Sequence, residues 1–379
     1  MKRRIFWHVV GAVGMAMTNG AAIGQYVDGD LYLISTSLEE PSPPPSGLAG
    51  IMRIDPVTAN HAIVATCIRG MRGHGSYDPF RDRIIASVFL GNPYLVASDG
   101  TCDEWLLNWS ATPVLFAPVG DGRVYFFGGA KMIGWVDGAG VVQDLLDATG
   151  TMPFAISSVT GDGGLIYDIG TNALFFADGG DADLLTRVRR IPLSPDGTQV
   201  AGPVDVVSID LSPGSFEHPK GISRGPDGLI LIAVDDNTNS TLPRLLTVDP
   251  ATLAISTYAT CGYFGVAGQI AGVYSRVRDE AVVLDTLGNN LRLFRQGASG
   301  EGTIWVSTGV SSPVGSGETA TLIEIGGTIN LPPSPADLNG DGCADSKDLK
   351  ILLGAWCSAV NDPNPPSPPC ENCTQANLD

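Results

Sequence analysis

One element recurs six times between Asp28 and Asp285, and it constrains the fold more than any other feature of the chain. A charged or glycine-rich turn leads each time into four or five apolar residues. The copies read DGDLYLIS (28–35), RDRIIASV (81–88), DGRVYFFG (121–128), TNALFFAD (171–178), PDGLILIAV (226–234) and RDEAVVLD (278–285). Aligning Leu31, Ile84, Val124, Leu174, Leu229 and Ala281 gives spacings of 53, 40, 50, 55 and 52 residues. Helical periodicity is nearly absent from this region. Short runs of Val, Ile, Leu, Tyr and Phe alternate with Asp-Gly, Gly-Asn and Asp-Pro turns, the pattern of many antiparallel strands. Periods of about 40–50 residues with several strands in each point to an all-β fold, a β-propeller.

The fifth unit displays the expected blade. Lys220–Ser223 reads as the inner strand, Gly225–Gly228 as a turn, and Leu229–Val234 as the second strand. Arg244–Val248 follows as the third and Leu253–Tyr258 as the outer strand, joined through Asp249-Pro250. The first unit repeats that turn at Asp55-Pro56 but has little room for an inner strand. Ala320–Ile325, at the far end, would fill the gap and bury both sheet edges, which an open array leaves exposed. The expectation is a propeller of six blades over 25–327; seven would require the long unit between Phe154 and Ser212 to split. The segment HPKGISRGPDGLILIAVDD (218–236) resembles the NHL and SMP-30/gluconolactonase-like six-bladed propellers over one blade. That resemblance bears on the fold, and fold does not imply function.

The most specific chemistry lies at Asp337–Asp348, DLNGDGCADSKD. Calcium takes six to eight oxygen ligands, and a twelve-residue loop supplies them from positions 1, 3, 5, 7, 9 and 12. Here these are Asp337, Asn339, Asp341, the backbone carbonyl of Cys343, Asp345 and Asp348, with Gly342 at the sharp turn. Position 12 is Asp in place of the usual Glu. Leu349, Leu352, Leu353 and Trp356 then fall on one helical face. No amphipathic helix precedes the loop; a semi-rigid proline-rich linker does (328–335). This loop–helix unit, 336–357, resembles a type I dockerin repeat. The resemblance implies a calcium-folded module that docks onto cohesin-like partners, in an extracellular polysaccharide-degrading setting. Ser346, Lys347, Lys350 and Ile351 would correspond to its recognition positions. Dockerins usually carry two repeats. After a Pro/Cys-rich spacer within 358–379, Ala376–Asp379 echoes Ala336–Asn339, as though a second repeat begins there.

The N-terminus carries Lys2, Arg3 and Arg4, an apolar stretch from Ile5 to about Met17, and small residues up to Gly24. These are the three regions of a secretory signal peptide (1–24), too short to remain as a membrane anchor. An exported, extracellular protein is expected. Seven cysteines accord with an oxidising compartment and with disulfides around the C-terminal repeat. Cys370 and Cys373 form a CxxC pair, but no second pair or histidine cluster completes a metal site. The net charge of −18 repels nucleic acid and anionic membranes, so neither is an expected partner.

Catalytic signals are sparse. Beyond the signal region there are three histidines: His61, His74 and His218. His74 and His218 fall near the starts of inner strands, and Glu217 adjoins His218. Together the three could line a ligand or metal funnel, though unrelated loop positions or local hydrogen-bonding roles are the commoner explanation of such residues. Gly221–Gly225 matches the G-x-S-x-G nucleophile elbow, but Pro226-Asp227-Gly228 excludes the helix that motif requires. Asp235–Asn239 and Gly179–Asp183 are acidic loops lacking the turn glycine and terminal carboxylate of the C-terminal loop. The leading expectation is a calcium-binding, secreted binding or scaffold-attached protein, with a carbohydrate or small molecule as the propeller's ligand. The alternative is a lactonase or O-glycosyl hydrolase with its site in the channel.

Overall fold

Each sheet of the protein exists because its second strand is apolar on both faces. The computed structural model describes residues 26–326 except 39–47, 67–70, 89–90, 108–112, 129–131, 153–162, 180–185, 210–216, 237–242, 263–269, 286–289 and 308–319. The expected signal peptide, linker, calcium loop, second-repeat echo and CxxC pair therefore lie outside the described residues.

The chain first forms β1 (Leu31–Leu38), β2 (Leu48–Ile54) and β3 (His61–Ala65). The next sheet holds β4 (Met71–Asp78), β5 (Arg83–Val88), β6 (Tyr94–Val96) and β7 (Cys102–Glu104). The third holds β8 (Pro113–Pro118), β9 (Val124–Gly128), β10 (Met132–Val136) and β11 (Val142–Asp144). The fourth is β12 (Gly164–Asp168), β13 (Ala173–Gly179), β14 (Thr186–Pro192) and β15 (Asp205–Ser208). β16 (Glu217–Arg224), β17 (Ile230–Asp236), β18 (Arg244–Val248) and β19 (Ile255–Cys261) make the fifth. The sixth is β20 (Ile270–Ser275), β21 (Glu280–Asp285), β22 (Asn290–Phe294) and β24 (Thr303–Ser307). Between the last two, β23 (Ser299–Gly300) reaches back to pair with β19. Finally β25 (Ala320–Glu324) returns to the first sheet as its inner strand, pairing antiparallel with β1 from Leu31↔Glu324 to Ser35↔Ala320.

The inner strands β25, β4, β8, β12, β16 and β20 each contact the next, and β20 contacts β25, so the six sheets close into a ring. This is the six-bladed propeller, sealed by the C-terminal strand; the unit between 154 and 212 forms one blade and does not split. Five of the six aligned residues, Leu31, Ile84, Val124, Leu174 and Ala281, are completely buried at the second strand of their blades. Leu229 is the exception. Pro226–Gly228 forms a 3-10 turn with Asp227 and Gly228 at positive φ, so the strand starts one residue later, at Ile230. The inner strand of that blade is longer than expected, Glu217–Arg224 instead of Lys220–Ser223, and the outer strand starts two residues later.

The core consists of six interblade layers. Ile84 packs toward the first blade with Tyr26, Tyr32 and Ile34, whereas its neighbour Ile85 packs toward the third with Phe116 and Phe126. Phe175 and Phe176 divide in the same way between the fifth and third blades, and Leu231 and Ile230 between the sixth and fourth. Successive side chains of a strand point to opposite faces. A strand covered on both faces must therefore be a continuous apolar run, which is why the recurrent element does not alternate.

Candidate functional site

The inner strands approach one another closely because they carry small residues where they meet. A Cβ on Gly164 would collide with Ile222 of the next blade, and one on Gly75 with Ile34 of the preceding blade. This convergence leaves a cavity of about 60 Å³ on the ring axis, walled in part by Leu115, Phe116, Ile166, Ile222, Val273 and Leu322. That is room for a few water molecules, at about 10–15 Å³ each.

Polar groups collect where the inner strands end. Asp78, Asp168, Arg224, Ser275 and Glu324 are the last residues of five of them, and all are buried. Arg224 pairs with Asp168 of the neighbouring blade through Nη1 and donates to the Tyr167 carbonyl through Nη2, at 2.9 Å. The other oxygen of Asp168 accepts from the Thr171 amide and hydroxyl at 2.8 and 2.6 Å. Burial by itself would raise the Asp168 pKa, but the Thr171 and Arg224 hydrogen bonds outweigh it and hold the carboxyl below its usual value. Asp78 and Glu324 go the other way. Burial raises both, and the guanidinium groups of Arg81 and Arg276 offset it only in part. Arg276 also joins the two ends of the ring. Its Nε lies 3.0 Å from Glu324, and its Nη2 lies 2.8 Å from Asp28 and 3.1 Å from the Ile325 carbonyl.

The histidines divide. His74 is buried within β4, three residues from its start, and lines the axial cavity. It therefore belongs to the strand itself, where a position near its start was expected. Glu217 and His218 open β16, with backbones paired to Asp236 and Asp235. β4 and β16 belong to the second and fifth of six blades, on opposite sides of the ring. His61 is apart from both, exposed at the start of β3, with Nδ1 3.3 Å from the Ala59 carbonyl.

Ser223 sits on β16, and a 3-10 turn and a strand follow it. The strand-to-helix geometry of a nucleophile elbow is thus replaced by a hairpin. Among the described residues, no three or more His, Cys, Asp or Glu side chains gather as a metal site. Cys261 is a free, fully buried thiol, and burial pushes it up to about 12, which makes it a poor nucleophile at neutral pH. The acidic loops at 179–183 and 235–239 lie largely outside the described residues.

The ion pairs at the strand ends were not anticipated from the sequence. A partial signal exists in the first, second-strand turns YDPFRD (77–82), YDIGTN (167–172) and YSRVRD (274–279). In each, the tyrosine hydroxyl donates to the Asp or Asn five residues later, which sits at positive φ.

No family model matches the chain, and no curated protein matches it. Solved structures do resemble it. A chain of a nidogen/laminin complex superposes with a TM-score of 0.51 at 10% identity, covering 77% of this chain and 98% of that one. A periplasmic gluconolactonase of Pseudomonas aeruginosa gives 0.46 at 14% identity over 77% and 98%. A 6-phosphogluconolactonase candidate from Bacteroides fragilis NCTC 9343 gives 0.45 at 9% identity over 78% and 98%. At 10% identity the first of these likenesses is one of fold alone, and the strand order of the described residues is that of a six-bladed β-propeller.

Proposed function

We propose that this is an exported binding protein, a β-propeller recognition domain tethered through a calcium-binding, dockerin-like repeat. One observation carries the propeller half: among the described residues the axial cavity holds about 60 Å³, whereas small-molecule pockets run from about 300 Å³ upward. A sugar or lactone is then met on the outer surface of the ring and not in its bore. In the docking half, Asp337, Asn339, Asp341, Asp345, Asp348 and the Cys343 carbonyl hold one Ca²⁺, and Ser346, Lys347, Lys350 and Ile351 face a cohesin-like partner.

Two measurements test the two halves. Calorimetric titration of the full chain with Ca²⁺ is expected to show one site that disappears in Asp341→Ala; equal binding by both proteins sinks the docking half. A panel of lactones and glycosides, assayed with and without divalent metal, is expected to show no turnover.

Turnover in that panel would establish the second reading, a hydrolase at one end of the channel. The presence of His74 in the cavity wall, across the ring from the strand that begins Glu217-His218, favours that reading. It requires that His74→Ala abolish the activity.

A further inference from the structure

A second space, beside a set of charged groups, lies off the axis. A cleft of about 420 Å³ opens between the fifth and sixth blades, on the face formed by the turns between first and second strands. That volume lies within the range of small-molecule sites. Pro226 and the buried Tyr258 and Tyr274 form its floor, and Arg278, Glu280 and Arg295 are among its walls.

The charges are arranged in a definite order. The Glu280 side chain is only 11% exposed and is held by Arg295 Nε at 2.9 Å and Arg278 Nη2 at 3.3 Å. Arg278 is itself fixed, with Nη1 donating to the Pro56 carbonyl at 2.7 Å and its guanidinium over the Trp305 ring at 4.7 Å. Arg295 is different. Its side chain is 82% exposed and engages Glu280 through Nε, which leaves its Nη groups open to solvent or to a ligand at the cleft that Arg295 lines. A guanidinium oriented on one edge and open on the other matches a carboxylate through two parallel hydrogen bonds. Asp279 and Gln296 lie in the same cleft and supply acceptors for hydroxyl groups.

We propose that this cleft binds a hydroxyl-rich carboxylate, a uronic acid residue of an acidic saccharide, with Arg295 pairing to the acid group. This rests on the reading of the propeller as a binding domain and supplies its ligand class. Glu280 acts as a positioning residue for the two arginines. A neutral sugar has no group to match the open guanidinium edge, so the cleft discriminates by charge.

The test is calorimetric titration of the full chain with D-glucuronate and digalacturonate, and with cellobiose as the neutral control. Uronate binding without cellobiose binding is expected, weakened tenfold or more in Arg295→Gln and less in Arg295→Lys, which keeps the charge but loses the planar fork. Arg278 still pairs with Glu280 in both variants, and the melt is recorded alongside to separate lost binding from lost folding. Absence of uronate binding to the parent overturns the proposal. Uronate binding unaltered in Arg295→Gln also overturns it, while leaving the binding-domain reading in place. Turnover of a glycoside with uronate affinity still dependent on Arg295 would overturn only that earlier reading and would support the cleft.

Discussion

Arg224 and Asp168 show how single residues carry the junction of two blades. Both side chains are almost fully buried, and each compensates the charge of the other across the gap between the fifth and fourth sheets. Removing one partner of a buried pair leaves an unmatched charge and costs about 3–5 kcal/mol. Thr171 continues to satisfy one Asp168 oxygen, so Arg224→Ala is expected near the lower end, about 3 kcal/mol at neutral pH by urea denaturation. Asp168 has a depressed folded pKa. Its contribution is therefore complete above its unfolded value of about 3.9 and is lost as pH falls through the folded one. The gap between parent and variant should narrow below about pH 4, whereas a gap independent of pH would show that the pair is not the source of the loss. Nothing in the local sequence announces this pair. Asp168 and Arg224 are 56 residues apart, and only the ring places their strand ends together.

At the scale of the element, the hairpin turn between first and second strands sets the start of the buried run. Asp82, Asn172, Asp227 and Asp279 occupy the left-handed region at φ of 48, 49, 54 and 55°. Asp and Asn tolerate that conformation better than other residues bearing a Cβ. Asn172 also fastens two turns of its blade. It accepts from the Tyr167 hydroxyl at 2.9 Å and donates to the Leu193 and Ser194 carbonyls, both at 3.1 Å. Asn172→Val combines a β-branched side chain at positive φ with the loss of these bonds. An expected loss of about 2–4 kcal/mol follows, read as a shift of the urea midpoint at unchanged slope. The turns were legible as turns from their Asp, Asn and Gly residues. Their boundaries were less so: in the fifth blade the strand starts at Ile230 because the turn is one residue longer than its PDG composition suggests.

For the whole molecule, closure is the decisive feature. β25 supplies the inner strand of the first blade and brings Leu322 and Ile323 into two different interblade layers. Arg276 then ties Glu324 and the Ile325 carbonyl to Asp28. A chain ending after Gly326 keeps this seal and is expected to keep the oligomeric state of the full chain. A chain ending after Thr319 exposes the edge of β1 and part of both layers, and should self-associate and unfold less cooperatively in size-exclusion and melting experiments. A monomeric, cooperatively melting protein in the second case would show that β25 is dispensable.

The sequence by itself determined the all-β class, the six blades and the closing strand. Those follow from the spacing of apolar runs and from the need to bury sheet edges, and both are local or countable properties. The proposed C-terminal calcium loop also rests on the sequence by itself, because all its candidate ligands fall within twelve residues. The tertiary structure alone decided what the ring can hold. The small axial cavity results from inner-strand glycines packing against side chains of neighbouring blades, and His74 enters its wall while β16, which carries His218, lies across the ring. The Arg295 cleft likewise draws on blades five and six, with Pro226 almost 70 residues from Arg295 in the chain. Contacts of that range depend on how the blades twist and converge, and no periodicity within a single strand encodes them.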